Sequence, residues 1–140
     1  MAELSDEVRT FLSEGTRTGK VGWVAADGRP LVAPVWFVAH GDEIWFNTGA
    51  ATPKGRAFAR DPRVVLTVDL EAPPYAFVQV QGTVTLSEDP EELVASATEI
   101  SGRYMGAERA AEFGRRNGVP GELLVKIVPT KVIAHMDMTA

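Results

Sequence analysis

Four cations stand close together in "NTGAATPKGRAFARDPRV", residues 47–64. Lys54, Arg56, Arg60 and Arg63 face a single acid, Asp61, in a chain whose formal net charge is -5. The segment follows a strand-like run and opens a helix-like one. Thr52 suits a helix N-cap and Pro53 the first helical position. A helix start leaves N–H groups free and carries a partial positive charge, which suits an anion. Lys54 in the first turn is unfavourable for the helix dipole, so a bound phosphate would explain it. Thr48 and Thr52 add hydroxyl groups. The alternative is a capped surface helix whose lysine and arginines are simply solvated, because the segment is no Walker loop.

The remaining chemistry-bearing residues are sparse. There are no cysteines and two histidines, His40 and His135, with no paired spacing. A zinc site is therefore not expected. The acids of "SEDPEE" suit a helix start, and no serine sits in a nucleophile elbow. Without a side-chain catalyst, the protein either is not an enzyme or relies on a cofactor that carries the chemistry. Trp23, Trp36 and Trp45 fall in three successive strand-like runs. Core packing suits most of them; Trp36 is the candidate for contact with a flat ligand. Tyr104 in "GRYMG" is either a core-edge residue or a pocket wall.

The elements that would position these groups read as follows. "LSDEVRTFLSE" is a helix capped by Ser5, with Val8, Phe11 and Leu12 on one face. "KVGWVAA", "LVAPVWFVAHG" and "DEIWFNT" are three strands joined by tight turns, predicted to form a meander. "TPKGRAFARD" is a helix ended by Asp61-Pro62. "RVVLTVDL" and "YAFVQVQGTVTLS" are further strands, "DPEELVASATEISGRYM" and "AERAAEFGRRNG" two helices, and "ELLVKIVPTKVIAHMDM" one or two strands broken near Pro129. Hairpin-linked strands of this length predict a mainly β fold with accessory helices, a small antiparallel barrel in one domain over residues 1–140. The second strand is apolar on both faces: Leu31, Ala33, Val35 and Phe37 on one, Val32, Pro34, Trp36 and Val38 on the other. One face can line the barrel; the other needs a helix, a cofactor or another subunit. Pro34 cannot donate to a ladder, so the strand lies at an edge or bulges there.

Composition excludes several classes. A pI of about 5.0 argues against general nucleic-acid binding. "MAELSDEVRTFLSEG" lacks the basic and apolar regions of a signal peptide, and no run of eighteen apolar residues occurs, so a cytoplasmic protein without membrane contact is expected.

"GRPLVAPVWFVAHGDEIWFNTGAATPKGRAFARDPRVVLTVD", then "PPYAFVQVQGTV" and "RYMG", resemble the pyridoxamine 5'-phosphate oxidase-like split β-barrel family. Within it the chain is most similar to the actinobacterial branch that uses the deazaflavin coenzyme F-420. The resemblance runs over about residues 5–135. It implies an FMN-binding-like homodimer with cofactor sites at the subunit interface. It implies that Thr48, Thr52 and Lys54 hold the cofactor phosphate, and that Ala33, Pro34, Val35 and Trp36 lie beside the ring system. Arg60 and Arg63 fall at basic positions suited to the coenzyme's acidic tail. Gln79 or Gln81 approaches the site from the fifth strand. Gly55 and Ala57 replace bulkier residues common in the family, which implies a looser helix, and "VIAHMD" lacks a tryptophan common there. The activity implied is hydride transfer from reduced coenzyme F-420 to a small electron-poor substrate. The alternatives are an FMN-dependent oxidase of the same fold and a non-catalytic cofactor carrier.

Overall fold

A computed structural model describes residues 1–140. Helix α1 (Asp6–Ser13) precedes strands β1 (Gly19–Val24), β2 (Pro30–Val35), β3 (Val38–His40) and β4 (Glu43–Gly49). Helix α2 (Pro53–Arg60) leads to β5 (Arg63–Asp69) and β6 (Phe77–Ser87). Helix α3 (Pro90–Met105), a 3-10 turn (Ala107–Arg109) and α4 (Ala110–Asn117) come before β7 (Glu122–His135). The seven strands form one antiparallel sheet in the order β2-β1-β5-β6-β7-β4-β3. No helix is long and apolar enough to cross a membrane.

The predicted three-strand meander does not form. "LVAPVWFVAHG" is two strands, β2 paired with β1 and β3 paired with β4. They stand at opposite ends of the sheet order, yet only Trp36 and Phe37 separate them in the chain. The sheet therefore wraps round until its ends meet without a ladder between them, which makes a split barrel. The cause lies in the burial pattern. Phe37 and Val38 are consecutive and both buried, at 0% and 7% exposure, whereas an unbroken strand sends neighbours to opposite faces. Pro34 sits on the edge strand, as its missing N–H requires.

Breaking a strand frees backbone groups, and two neighbouring side chains of α3 take both of Phe37's. The Tyr104 hydroxyl accepts from the Phe37 N–H at 3.3 Å and donates to the Arg17 carbonyl at 2.9 Å. The Arg103 guanidinium donates to the Phe37 carbonyl at 2.8 Å and to the Leu12 carbonyl at 2.7 Å. Buried backbone groups left without partners cost about 1–3 kcal/mol each, so these bonds fix the seam.

Inside the barrel lie Val21, Phe37, Ile44, Phe46, Leu66, Val78, Val80 and Ile127, all with no exposure. Val8, Phe11 and Leu12 of α1 pack onto the same core. β7 runs unbroken through Pro129, and the irregularity falls opposite it, between Gln81 and Gly82. A side chain on Gly82 would begin 2.2 Å from the Val128 carbonyl oxygen, so only glycine fits. On β2, Leu31 and Ala33 pack against the core, while Val32 on the other face is 69% exposed.

Candidate functional site

Helix α2 begins where β4 ends, and its N-terminus is built as the local sequence requires. The Thr52 hydroxyl accepts from the Gly55 N–H at 3.2 Å and donates to the Gly49 carbonyl at 2.7 Å. Its single proton is thus used within the cap. In the 3.3 Å contact between Thr48 Oγ1 and Thr52 Oγ1, Thr48 is then the donor. The helix is not loosened by Gly55. A Cβ there would lie 2.2 Å from the Gly49 carbonyl oxygen, so glycine lets the first turn press directly on the strand end. Gly55 and Ala57 are both buried. The implied looseness is corrected: small residues here mean close packing.

Beside this N-terminus opens a cleft of about 350 Å³. Pro34, Val35 and Trp36 form one wall at the barrel seam, and Thr48 and Lys54 stand in another. Five of the residues expected around a cofactor are thereby brought together. The Trp36 indole is 39% exposed. Its other face lies on Tyr104, with ring centroids 5.1 Å apart and planes 4° from parallel. Tyr104 is therefore the support of the wall rather than the wall itself. Burial pushes its phenol pKa above the ordinary value.

Lys54 is the cation of this cleft. Lys20 pairs with Asp69 and Lys126 with Glu92, but no carboxylate lies within ion-pair distance of Lys54. Its ammonium instead stands 5.5 Å from the centre of the Trp23 ring. An unpaired, half-buried cation next to a helix N-terminus is an arrangement that favours an anion.

The other expected residues lie elsewhere. Thr52 reaches the cleft only through Thr48. Ala33 packs on the barrel core. Arg60 is exposed at the far end of α2. Arg63 is held by Asp61, with Nη2 2.7 Å from Oδ2, and borders a second cleft of about 520 Å³ together with Trp23, Val65 and Gln81. Gln79 points to the outside of β6, where its amide oxygen accepts from Gln81 at 2.8 Å.

Four polar residues enter the cleft that the local motifs did not indicate: Asn47, Ser101, Asn117 and Glu122. Asn47 donates to the Ser96 hydroxyl at 3.1 Å and so ties β4 to α3. Glu122 arrives because β7 pairs with β4 in the register Gly49 to Glu122. Burial pushes its carboxyl pKa up. The available signal was a lone acid opening the apolar strand "ELLVKIV".

The residues fit a planar group bearing a phosphate. A flat aromatic face, an unpaired ammonium and a hydroxyl converge on one cleft, and the glycine at Gly55 keeps the helix start against the end of β4.

The comparisons agree with this architecture. A conserved hypothetical protein of Mycobacterium tuberculosis superposes with TM-score 0.82 at 25% identity, covering 98% of this chain and 85% of that one. An F-420 reductase gives 0.69 at 24% identity over 88% and 94% of the two chains. A candidate pyridoxamine 5'-phosphate oxidase of Listeria innocua gives 0.75 at 23% identity over 94% and 98%. Comparison with curated proteins finds no match. The sequence itself matches the pyridoxamine 5'-phosphate oxidase family over residues 4–136, nearly its full length, and the chain belongs to that family.

Proposed function

We propose that the protein is an oxidoreductase that uses reduced coenzyme F-420 to reduce an electron-poor organic substrate such as an enone or quinone. The observation that carries this is the pairing, in one cleft, of the exposed Trp36 face with the unpaired Lys54 beside the N-terminus of α2. Trp36, Pro34 and Val35 would bound the ring system, and Lys54 and Thr48 would hold the phosphate. The coenzyme supplies the hydride. The chain supplies placement, electrostatic complementarity and exclusion of water. The F-420 reductase among the structural neighbours supports this reading.

The site is proposed to be completed by a second copy of the chain. The exposed apolar face of β2, with Val32 at 69% exposure, and Trp36 just beyond its end, at 39%, need cover. A homodimer supplies it, and sedimentation showing a stable monomer at micromolar concentration overturns that part. Arg60, with Arg56 and Arg63, remains the proposed attraction for an acidic tail; Arg63 does so from within its pair with Asp61. Binding of the tailed coenzyme should then weaken as salt rises.

Fluorescence titration with F-420 and with FMN tests the assignment, followed by oxidation of the reduced coenzyme by a panel of enones and quinones. Tighter binding of FMN, or FMN that co-purifies in stoichiometric amount, moves the protein to the flavin-dependent oxidases of the fold. Tight binding without turnover makes it a carrier.

A further inference from the structure

The cleft holds one cation and one carboxylate. Lys54 comes from α2; Glu122 comes from the start of β7. β4 faces them with Asn47 and Thr48, α4 with Asn117, and β2 and α3 with residues that do not titrate. The three arginines of the basic segment do not line the cleft. Glu122 Oε2 lies 3.2 Å from where a Gly49 side chain would begin, and the Thr52 methyl lies 3.0 Å from the same point. The carboxylate is thus directed to the junction of β4 and α2, where the anion would enter. No lysine or arginine pairs with it.

This lining treats a first and a second negative charge differently. Lys54 compensates one. A second charge on the same group finds no further cation in the cleft, and meets Glu122. We propose that Glu122 is a specificity-determining residue that selects a singly charged phosphate diester over a doubly charged phosphate monoester. The inference rests on the cleft being the phosphate site, and it sharpens that reading. A phosphate monoester such as FMN is largely dianionic above its second pKa of about 6. A phosphate that carries a further organic substituent keeps one charge at any neutral pH. The carboxylate would therefore work as a filter on the ligand's charge, independently of the ring system that Trp36 faces. Burial disfavours its ionised form, and the monoester carries its second charge only above a pKa of about 6, so the filter acts where both groups are ionised.

The test holds the ring constant and changes only the phosphate. FMN and its methyl phosphodiester are titrated against the full-length protein, Glu122→Gln and Glu122→Asp at about pH 8, reading flavin fluorescence. The wild-type protein should bind the diester more tightly. In Glu122→Gln the monoester should gain about three- to tenfold more affinity than the diester, the effect of one extra unit charge across a partly solvated cleft. Glu122→Asp keeps the charge and should keep the wild-type preference. A thermal melt of each variant confirms folding. Equal gains for both esters, or none, overturn the charge filter. Should Lys54→Ala leave both affinities unchanged, the phosphate site itself is overturned, and that result is separate from any effect at Glu122.

Discussion

The Trp36 indole lies flat on the Tyr104 ring, 5.1 Å between centroids and 4° from parallel. Tyr104 is in turn fixed by its hydrogen bonds to the Phe37 N–H and the Arg17 carbonyl. The orientation of the cleft's aromatic wall is therefore set by α3, at the point where the barrel seam opens.

Tyr104→Phe separates the two jobs. The stacked ring remains, but the Phe37 N–H loses its partner, which should destabilise the fold by about 1–3 kcal/mol. Ligand affinity should change little. Tyr104→Ala removes the support itself, and Trp36 should then move and ligand affinity fall. Denaturant unfolding and ligand titration on both variants check this. Equal affinity in the two would show that Trp36 holds its orientation without Tyr104.

Lys54→Ala should weaken binding of a phosphate-bearing cofactor by about 1.5–3 kcal/mol, the scale of a charge-assisted hydrogen bond. Stability should move by about 1 kcal/mol or less, since its contact with the fold's interior is the cation–π approach to Trp23. Unchanged affinity with a lowered melting temperature would return Lys54 to the role of a surface-helix lysine. Calorimetric titration and a melt distinguish the outcomes.

The helices and most of the strands were legible in the sequence because their signals are local. Ser5 and Thr52 cap α1 and α2 as their positions require, and Asp61-Pro62 ends the second helix. Thr48, Lys54 and Trp36 carried the site for the same reason. The break at Trp36 and Phe37 was not legible. It depends on Arg103 and Tyr104, far along the chain, reaching the Phe37 backbone. Glu122 and Asn117 were hidden likewise, since only the β4–β7 register and the return of α4 bring them to the cleft. The pairing of Arg63 with Asp61, two residues earlier, was likewise not specified by the segment's charge count.

Gly55→Ala should destabilise the protein although alanine favours a helix over glycine by about 1 kcal/mol. The new methyl would begin 2.2 Å from the Gly49 carbonyl oxygen and 3.0 Å from the Ala50 backbone, neither of which is the free end of a side chain. The helix must then lift from the strand end, at a net cost of about 1–3 kcal/mol. Lifting also shifts Lys54, so cofactor affinity should fall with it. A stabilised variant would show that the close approach is not needed.

Two carboxyls give the stability profile opposite slopes. Asp61 is held down to about 2 by the Arg63 side chain and then its backbone N–H, from an ordinary value of 3.8. Its contribution is present above 3.8 and is lost as pH falls towards 2. The pair is exposed, so the effect is small. Glu122 is shifted the other way, upward by burial from 4.5. The folded state then holds its proton more tightly than the unfolded state. Stability is full below 4.5 and falls as pH rises through the folded value. Glu122→Gln cannot ionise and should abolish that loss. It should melt with the wild type at low pH and above it at neutral pH, with the gap opening as the wild-type carboxyl ionises. Asp61→Asn should instead lose stability on the neutral side and converge with the wild type in acid. Melts of the three proteins across the acid-to-neutral range check both signs. A Glu122→Gln variant that melts below the wild type at neutral pH would mean that the carboxylate is held by a favourable partner in the cleft, and the charge filter would lose its physical basis.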